Sequence, residues 1–246
     1  MTNLQQARRV ALITGASRGL GLEIARRFAG RGMPLILTSR VAAPLADTAT
    51  ELERSTEVLA LPGDVADRAH VERLVQAGLD RFGRIDVLVN NASAIGPSPM
   101  PALPSYPPDE LARVFQVNVI APLQLMQFVL PGMREQGTGT ILNVTSDAAI
   151  QAYPGWGGYG ASKAALEHMS KVLAAELEGT GVRIYLVDPG DMNTRLHQEA
   201  EPGVDLSHLP GPEIPAPFFL DLIDRESAPF GRFDAQKLLA VGGRER

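Results

Sequence analysis

The fold is decided by the stretch Val10-Ala11-Leu12-Ile13-Thr14-Gly15-Ala16-Ser17-Arg18-Gly19-Leu20-Gly21. Its first five residues form an apolar run that predicts a buried strand, and helical periodicity follows from Leu22 to Gly30. A glycine turn between a strand and a helix presents free N–H groups and the positive end of the helix dipole, which favour a phosphate. The spacing Gly-x-x-x-Gly-x-Gly differs from the commoner Gly-x-Gly-x-x-Gly, so a plain turn is the alternative at this point.

Length and composition limit the class of protein. The chain has 246 residues, no cysteine and a formal net charge of −5. The length suits one large α/β domain or two small ones, and the lack of cysteine excludes disulfides and cysteine metal sites. Residues 1–9 are polar and unlike a signal peptide, and no apolar run is expected to approach the length of a membrane span. We therefore expect a cytoplasmic protein with no nucleic-acid and no membrane partner.

Strands and helices are predicted to alternate along the chain. Further apolar runs predict strands at 34–38, 58–61, 86–90, 140–145 and 182–187. Helical patterns lie at 46–55, 67–82, 110–133 (with a kink at Pro122) and 159–177. This alternation is typical of βαβ units with helices on both faces of a parallel sheet. The sequence therefore predicts an α/β fold with a doubly wound parallel sheet, and residues 1–246 form a single domain.

Ligands of such sheets bind at the carboxyl ends of the strands. The residues at those predicted ends are the glycine turn, Ser39 and Arg40, Asp64, Asn91, Ser146, Pro189 and Gly190. At the end of the second strand, an acid binds the ribose 2′-hydroxyl of NAD, whereas an arginine accommodates the 2′-phosphate of NADP. Ser39 and Arg40 occupy this point without an acid, and Arg18 offers a second guanidinium. The pattern favours NADP, with two solvated arginines as the alternative.

Tyr159 and Lys163 lie four residues apart in a predicted helix and therefore share one face of it. An ammonium near a phenol favours the phenolate and lowers a pKa that is ordinarily about 10. A tyrosine tuned in this way can act as an acid or a base near neutral pH. Taken alone, the pair is better explained by an exposed lysine beside a packing tyrosine, because this spacing recurs by chance.

The character of the chain changes after Thr194. Six prolines fall between Pro202 and Pro229, around an apolar patch at residues 218–220. We expect residues 195–230 to form a substrate-loop region with a short helix that crosses the mouth of the cleft. An edge segment is expected near residues 231–233.

Seven motifs occur in a fixed order along the chain. They are Thr14-Gly15-x-x-x-Gly19-x-Gly21, Asp64, Asn90-Asn91-Ala92, Asn118, Ser146, Tyr159-x-x-x-Lys163 and Pro189-Gly190-x-x-x-Thr194. In these motifs, over roughly residues 9–194, the chain resembles the short-chain dehydrogenase/reductase family in its shorter, single-domain subtype. The resemblance implies a Rossmann-like sheet, usually of seven strands, and a homodimer or homotetramer built around the long helices.

The resemblance implies four catalytic residues: Asn118, Ser146, Tyr159 and Lys163. Tyr159 is expected to be the general acid/base, and Lys163 to lower its pKa and to bond the nicotinamide ribose. Ser146 is expected to hold the substrate oxygen, and Asn118 to hold a water that links Lys163 to a proton relay.

The resemblance also implies a set of residues that contact NADP, with the adenine at Asp64 and Val65. These residues are Gly15, Ser17, Arg18, Gly19, Leu20, Gly21, Ser39, Arg40, Asp64, Val65, Asn91, Ala92, Ser93, Tyr159, Lys163, Pro189, Gly190, Met192 and Thr194. Two features depart from the family pattern. Ser93 replaces a usual glycine and is expected to crowd the cofactor, and residues 240–246 lack a clear copy of the usual closing strand.

The sequence therefore predicts an NADP(H)-dependent oxidoreductase that interconverts a small-molecule carbonyl and alcohol by hydride transfer. A non-catalytic NADP(H)-binding redox sensor of the same fold is the alternative. An epimerase or dehydratase of the longer subtype fits less well, because its usual Gly-x-x-Gly-x-x-Gly spacing is absent. No metal site is expected, because the histidines are scattered. The wall for an apolar, medium-sized substrate is expected at Ala94, Ile95, Tyr153, Trp156, Met192 and residues of the 195–220 segment, with plain packing as the alternative for each.

Overall fold

The computed structural model describes residues 9–224 and 228–237. Its strands are β1 Ala11–Thr14, β2 Leu35–Thr38, β3 Val58–Ala60, β4 Val87–Asn90, β5 Gly139–Val144, β6 Val182–Asp188 and β7 Phe230–Asp234. Within the described ranges they form one seven-stranded sheet of order β3-β2-β1-β4-β5-β6-β7, and every pairing is parallel. The chain winds outward from β1 in one direction and from β4 in the other, which confirms the predicted doubly wound α/β fold.

Helices connect the strands and cover both faces of the sheet. They are α1 Gly19–Gly30, α2 Ala42–Leu52, α3 Arg68–Phe82, α4 Pro108–Phe115, α5 Ala121–Glu135, α6 Gly157–Glu176, α7 Arg195–Ala200 and α8 Ala216–Asp224. Neighbouring residues of β1 show the two-sided packing, since Leu12 and Ile13 are both fully buried but belong to different apolar clusters. Side chains alternate across a strand, so each face of the sheet has its own core.

Residues 108–135 form one helical stretch in which α4 and α5 are joined by a π-helical segment, Gln116–Ile120. The predicted distortion lies here, because Pro122 has no N–H to donate to the carbonyl of Asn118 four residues earlier. By length and composition this stretch could cross a membrane, so the expectation that no apolar run approaches that length is wrong. Half of its most apolar window is buried, and α5 packs against α3 and β5, which explains its apolar residues.

The segment after Thr194 differs from its prediction in two respects. Phe218 and Phe219 of α8 are buried in the core beside α1, so the apolar patch does not cross the cleft mouth. Among the described residues of the 195–230 region, the cleft is bordered by the earlier part, in α7 and at Pro212. The expected edge segment is confirmed as β7, and the expectation of a missing closing strand is wrong. The signal was weak because β7, Phe-Gly-Arg-Phe-Asp, is half-buried and lacks a continuous apolar run, while residues 240–246 lie outside the described ranges.

Candidate active site

A cleft of ≈ 910 Å³ opens at the carboxyl ends of the strands, and its volume is typical of cofactor sites. It is lined by these predicted site residues: Gly15, Ser17, Arg18, Gly19, Leu20, Ser39, Arg40, Asp64, Val65, Asn91, Ala92, Ser93, Ser146, Tyr159, Lys163, Pro189, Gly190, Met192 and Thr194. Gly21 and Asn118 are buried behind the lining and support it. The structure thus brings the predicted residues to one place.

The glycine turn is pressed against the end of β4. Gly15 has φ = 66°, a conformation that side chains rarely adopt. A Cβ on Gly21 would lie 2.4 Å from both Asn91 Nδ2 and the carbonyl oxygen of Gly15, so only glycine fits. Helix α1 begins at Gly19, earlier than predicted, and its N-cap residue Arg18 provides no side-chain cap. The first N–H groups of α1 therefore face the cleft without a side-chain partner, and this cradle fits a phosphate.

Thr14 holds the two chain segments of this cradle together, a role that the sequence did not reveal. Its hydroxyl oxygen accepts hydrogen bonds of 3.0 Å from the main-chain N–H groups of both Asn91 and Ala92. Asn91 Nδ2 donates to the main-chain oxygen of Thr14 at 2.9 Å. The part of the cleft beside the glycine turn is therefore fixed by side chains at the ends of β1 and β4.

Two guanidinium groups face the cleft where β2 and the glycine turn end. Arg18 and Arg40 are both exposed, and neither forms an ion pair with any residue that the structure describes. Arg26, by contrast, is paired with Glu23 and Glu51. Free guanidiniums beside a phosphate cradle fit an additional phosphate on the ligand.

Tyr159 and Lys163 lie in the first two turns of α6 and are 7% and 2% exposed. Lys163 Nζ donates a hydrogen bond of 2.9 Å to the main-chain oxygen of Val144 and lies 5.5 Å from the centre of the Tyr159 ring. Burial lowers the pKa of Lys163 to about 8. The lysine is thus a buried group, and the reading of an exposed lysine fails.

The pKa of Tyr159 is raised, so the expectation that Lys163 lowers it is wrong in this structure. Burial is the main cause, and the charges of Asp188 and Asp147 add to it. The hydroxyls of Ser93 and Ser146, which line the same cleft, oppose the shift. The Lys163 ammonium is hydrogen-bonded to the main-chain oxygen of Val144 and lies over the Tyr159 ring.

Asn118 lies on the π-helical segment and is 1% exposed. Its Nδ2 donates to the main-chain oxygen of Ala94 at 2.8 Å and to Ser162 Oγ at 2.9 Å. Its Oδ1 accepts from the N–H of Ala94 at 2.8 Å and from Ser93 Oγ at 3.2 Å. All four hydrogen-bonding positions of this side chain are therefore occupied by protein groups.

The main-chain oxygen of Ser146 is hydrogen-bonded to a charged cluster that the sequence did not predict. Arg232 Nη2 donates to the main-chain oxygen of Ser146 at 3.2 Å, and the same guanidinium pairs with Glu167 and with the buried Asp188. Glu167 also accepts a hydrogen bond of 2.7 Å from Thr145 Oγ1. No sequence pattern connects these residues, which come together through β7 and α6.

The end of the cleft beside Tyr159 is walled by apolar side chains. Ile95 and Tyr159 pack with Trp156 and Leu196, and the Trp156 ring meets those of Tyr159 and His197 edge-on at 5.7 and 6.1 Å. Ala94, Ile95, Trp156 and Met192 line the cleft as expected. Tyr153 does not line the cleft, although its hydroxyl donates a hydrogen bond of 2.7 Å to Asp147, which does. In residues 9–224 and 228–237, no group of three potential metal ligands is present.

Comparisons with known proteins agree with this geometry. A family profile described as short chain dehydrogenase matches residues 9–205. The chain is 38% identical over 192 residues to the 2-(R)-hydroxypropyl-CoM dehydrogenase of Xanthobacter autotrophicus, covering 77% of each protein. It is 37% identical over 199 residues to the rhamnolipids biosynthesis 3-oxoacyl-acyl-carrier-protein reductase of Pseudomonas aeruginosa, covering 77% of this chain and 75% of the relative.

A solved structure is also similar to this chain. A short chain dehydrogenase from Shigella flexneri complexed with NADP matches with a TM-score of 0.85 and 29% identity. The match covers 94% of this chain and 100% of the other. The chain belongs to the short chain dehydrogenase family, a family of oxidoreductases.

Proposed function

We propose that this protein is an NADP(H)-dependent oxidoreductase that interconverts a carbonyl and an alcohol, with Tyr159 as the general acid/base. One observation carries the proposal. A buried phenol, the hydroxyl of Ser146 and a buried lysine lie in the same cleft as a phosphate cradle and two arginines. This arrangement supports proton transfer at one end of a bound dinucleotide.

The bound nicotinamide supplies or accepts the hydride, and the protein handles the proton. In reduction, Ser146 turns its proton from Asp147 Oδ1, now 3.1 Å away, to the substrate oxygen. Tyr159 then gives its proton to that oxygen as negative charge develops on it. The phenol is protonated at neutral pH, because its ordinary pKa is about 10 and burial raises it further.

Lys163 and Asn118 support this proton transfer. Lys163 lies one helical turn from Tyr159 on α6 and places a positive charge near the phenol. From this position its ammonium can bond a ribose hydroxyl. The Asn118 side chain has no capacity left for a water, so a relay water at this residue is held by its main-chain oxygen. Pro122 deprives that oxygen of its regular helical donor, which supports this assignment.

The unpaired guanidiniums of Arg18 and Arg40 support NADP(H) over NAD(H). A 2′-phosphate is negatively charged and can pair with both guanidiniums. Ser39, at the end of β2, offers no carboxylate to repel that phosphate. The solved Shigella flexneri relative is complexed with NADP, which is consistent with the same choice.

The apolar wall around Trp156, Ile95 and Leu196 supports an apolar, medium-sized substrate. The names of the two relatives refer to a hydroxyl and to an oxo group, the two sides of the proposed reaction. We also propose a cytoplasmic homodimer or homotetramer. Ile120 and Val172, exposed on the long helices, support an interface there.

The test follows NADPH absorbance while the purified protein is mixed with a panel of ketones and aldehydes. The proposal expects oxidation of NADPH with at least one apolar carbonyl, and loss of that activity in Tyr159→Phe. Tight NADPH binding without turnover of any panel member would favour the redox-sensor alternative. Failure to bind either dinucleotide would contradict both readings.

A further inference from the structure

Asp147 lies beside the serine that is proposed to hold the substrate oxygen. It follows β5 by three residues, is exposed and lines the cleft. Its carboxylate forms no ion pair within residues 9–224 and 228–237. The proton transfer from Tyr159 does not use this carboxylate, so its charge at this place needs another explanation.

Three hydrogen bonds hold the hydroxyl of Ser146 and the carboxylate of Asp147 in one arrangement. Ser146 Oγ donates to Asp147 Oδ1 at 3.1 Å, and the main-chain N–H of Ala148 donates to Ser146 Oγ at 3.2 Å. On the other side of the carboxylate, the Tyr153 hydroxyl donates to Asp147 Oδ2 at 2.7 Å. The carboxylate thus lies between two hydroxyls, and the serine hydroxyl has both a donor and an acceptor partner in the protein.

The chemistry of these groups sets the direction of each bond. An ionised carboxylate can only accept hydrogen bonds, so the single Ser146 hydroxyl proton lies toward Asp147. The serine oxygen also has two lone pairs, and the N–H of Ala148 occupies one of them. One lone pair is left for a ligand. While this arrangement holds, Ser146 therefore meets a substrate oxygen as an acceptor and not as a donor.

This arrangement suits an alcohol better than a carbonyl compound. An alcohol can donate its O–H to the remaining lone pair of Ser146, while its oxygen accepts from the phenol of Tyr159. A carbonyl oxygen has no proton, so Ser146 can bind it only by withdrawing its own proton from Asp147. A hydrogen bond to a carboxylate is stronger than one to a neutral carbonyl, so this exchange is unfavourable. Asp147 therefore lowers the affinity for the carbonyl and leaves the affinity for the alcohol nearly unchanged.

We propose that Asp147 is a positioning residue for Ser146, itself held by Tyr153, which shifts the binding preference of the cleft from the carbonyl toward the alcohol. In reduction the Tyr159 O–H bond breaks and the substrate O–H bond forms. The Ser146 hydroxyl turns from Asp147 to the carbonyl oxygen on binding, and it turns back once the alcohol has formed. No covalent bond to Asp147 or Ser146 forms or breaks. This proposal rests on the proposed function, in which Ser146 holds the substrate oxygen.

The experiment measures both affinities in Asp147→Ala and Asp147→Asn, with a carbonyl that the unmutated protein reduces and the alcohol formed from it. Single-turnover reduction from bound NADPH gives the half-saturating carbonyl concentration, and the alcohol is added as an inhibitor. In Asp147→Ala the half-saturating concentration should fall about fivefold, while the inhibition constant of the alcohol changes less than about twofold. Asp147→Asn should lie between, because its amide oxygen accepts without a charge.

Asp191→Ala is the matched control. It removes another exposed carboxylate of the cleft lining, to which Ser146 Oγ does not donate, and should leave both affinities within about twofold. A purely structural role of Asp147 would weaken the binding of the carbonyl and of the alcohol alike. That result would overturn the proposal, as would a carbonyl affinity that stays the same or falls in Asp147→Ala. An equal gain of carbonyl affinity in Asp191→Ala would assign the effect to charge alone and would overturn it too.

A second measurement needs no substrate. Urea unfolding of Ser146→Ala, Asp147→Ala and the double variant gives the coupling between the two side chains. The double variant should shift the unfolding equilibrium about threefold less than the product of the two separate shifts, because either substitution alone already removes the shared hydrogen bond. Independent shifts would overturn the proposal. If the unmutated protein reduces no carbonyl, the proposed function fails, and the unfolding data still decide the contact between Ser146 and Asp147.

Discussion

The guanidinium of Arg232 on β7 donates a hydrogen bond of 3.2 Å to the main-chain oxygen of Ser146, which lies 86 residues earlier. The same group pairs with Glu167 at 2.9 Å and with Asp188 at 3.4 Å. Burial raises the pKa of Asp188, and the charge of Arg232 opposes that shift. The position of the proposed substrate-binding serine therefore depends on the last described strand of the sheet.

Replacing Arg232 with Met should slow hydride transfer roughly tenfold, because Ser146 loses its support. The free energy of unfolding should fall by about 1–3 kcal/mol, since Glu167 and Asp188 lose a shared partner. Arg232→Lys should recover part of both losses. Arg81→Met, which removes a surface pair with Glu57, is the control and should change stability by less than about 0.5 kcal/mol. Full activity in Arg232→Met would show that the contact does not position Ser146.

Lys163→Met should stabilise the protein while it abolishes activity. The lowering of the lysine pKa from 10.5 to about 8 corresponds to a burial cost of ~3 kcal/mol at neutral pH, offset by the hydrogen bond to Val144. We expect a net gain of roughly 1–2 kcal/mol at pH 7 in urea unfolding.

The gain in Lys163→Met should depend on pH in a defined direction. Above about pH 8 the folded protein loses the lysine proton, while the unfolded chain keeps it up to its ordinary pKa of 10.5. Since the unfolded state then binds more protons, the unmutated protein gains stability as pH rises through this window. The advantage of Lys163→Met should therefore be full below pH 8 and fade toward pH 10.5. An advantage that grows with pH would contradict the assigned burial cost.

Gly21→Ala should destroy dinucleotide binding, because its Cβ would lie 2.4 Å from Asn91 Nδ2 and from the Gly15 oxygen. Gly30→Ala at the other end of α1 is the matched control, since no atom lies within 4 Å of a Cβ there. The control should bind NADPH normally and be neutral or slightly more stable. The two affinities are measured by NADPH fluorescence. Equal binding by both variants would show that the glycine cradle is not part of the dinucleotide site.

The preference for NADP(H) should invert in the double variant Ser39→Asp with Arg40→Ala. The new carboxylate repels a 2′-phosphate and accepts from a 2′-hydroxyl, while the removed guanidinium no longer favours the phosphate. Arg18→Ala alone should weaken NADPH binding more than NADH binding. Dissociation constants for both dinucleotides test this, and equal or tighter binding of NADH by the unmutated protein would refute the preference.

Residues with a local pattern were predictable from the sequence, whereas long-range partners were not. The glycine turn follows from its strand and helix, and Tyr159 with Lys163 from helical spacing. Ser162, three residues after Tyr159, could have been found from the same spacing. Arg232 could not, because its role depends on how β7 pairs with β6 in three dimensions. The sign of the Tyr159 pKa shift also could not be predicted, since it depends on burial rather than on a neighbour in the chain.

The central claim is that Tyr159 gives the proton to the substrate oxygen, and single-turnover reduction from bound NADPH tests it most directly. Tyr159→Phe removes one oxygen and keeps the ring, so NADPH affinity should survive. Tyr185→Phe, which removes a phenol that is bonded to the main-chain oxygen of Ala228 away from the cleft lining, is the control. We predict a loss of hydride-transfer rate on the order of 10²–10⁴-fold in Tyr159→Phe and little change in the control. A Tyr159→Phe protein that reduces its substrate at nearly the unmutated rate would contradict the account.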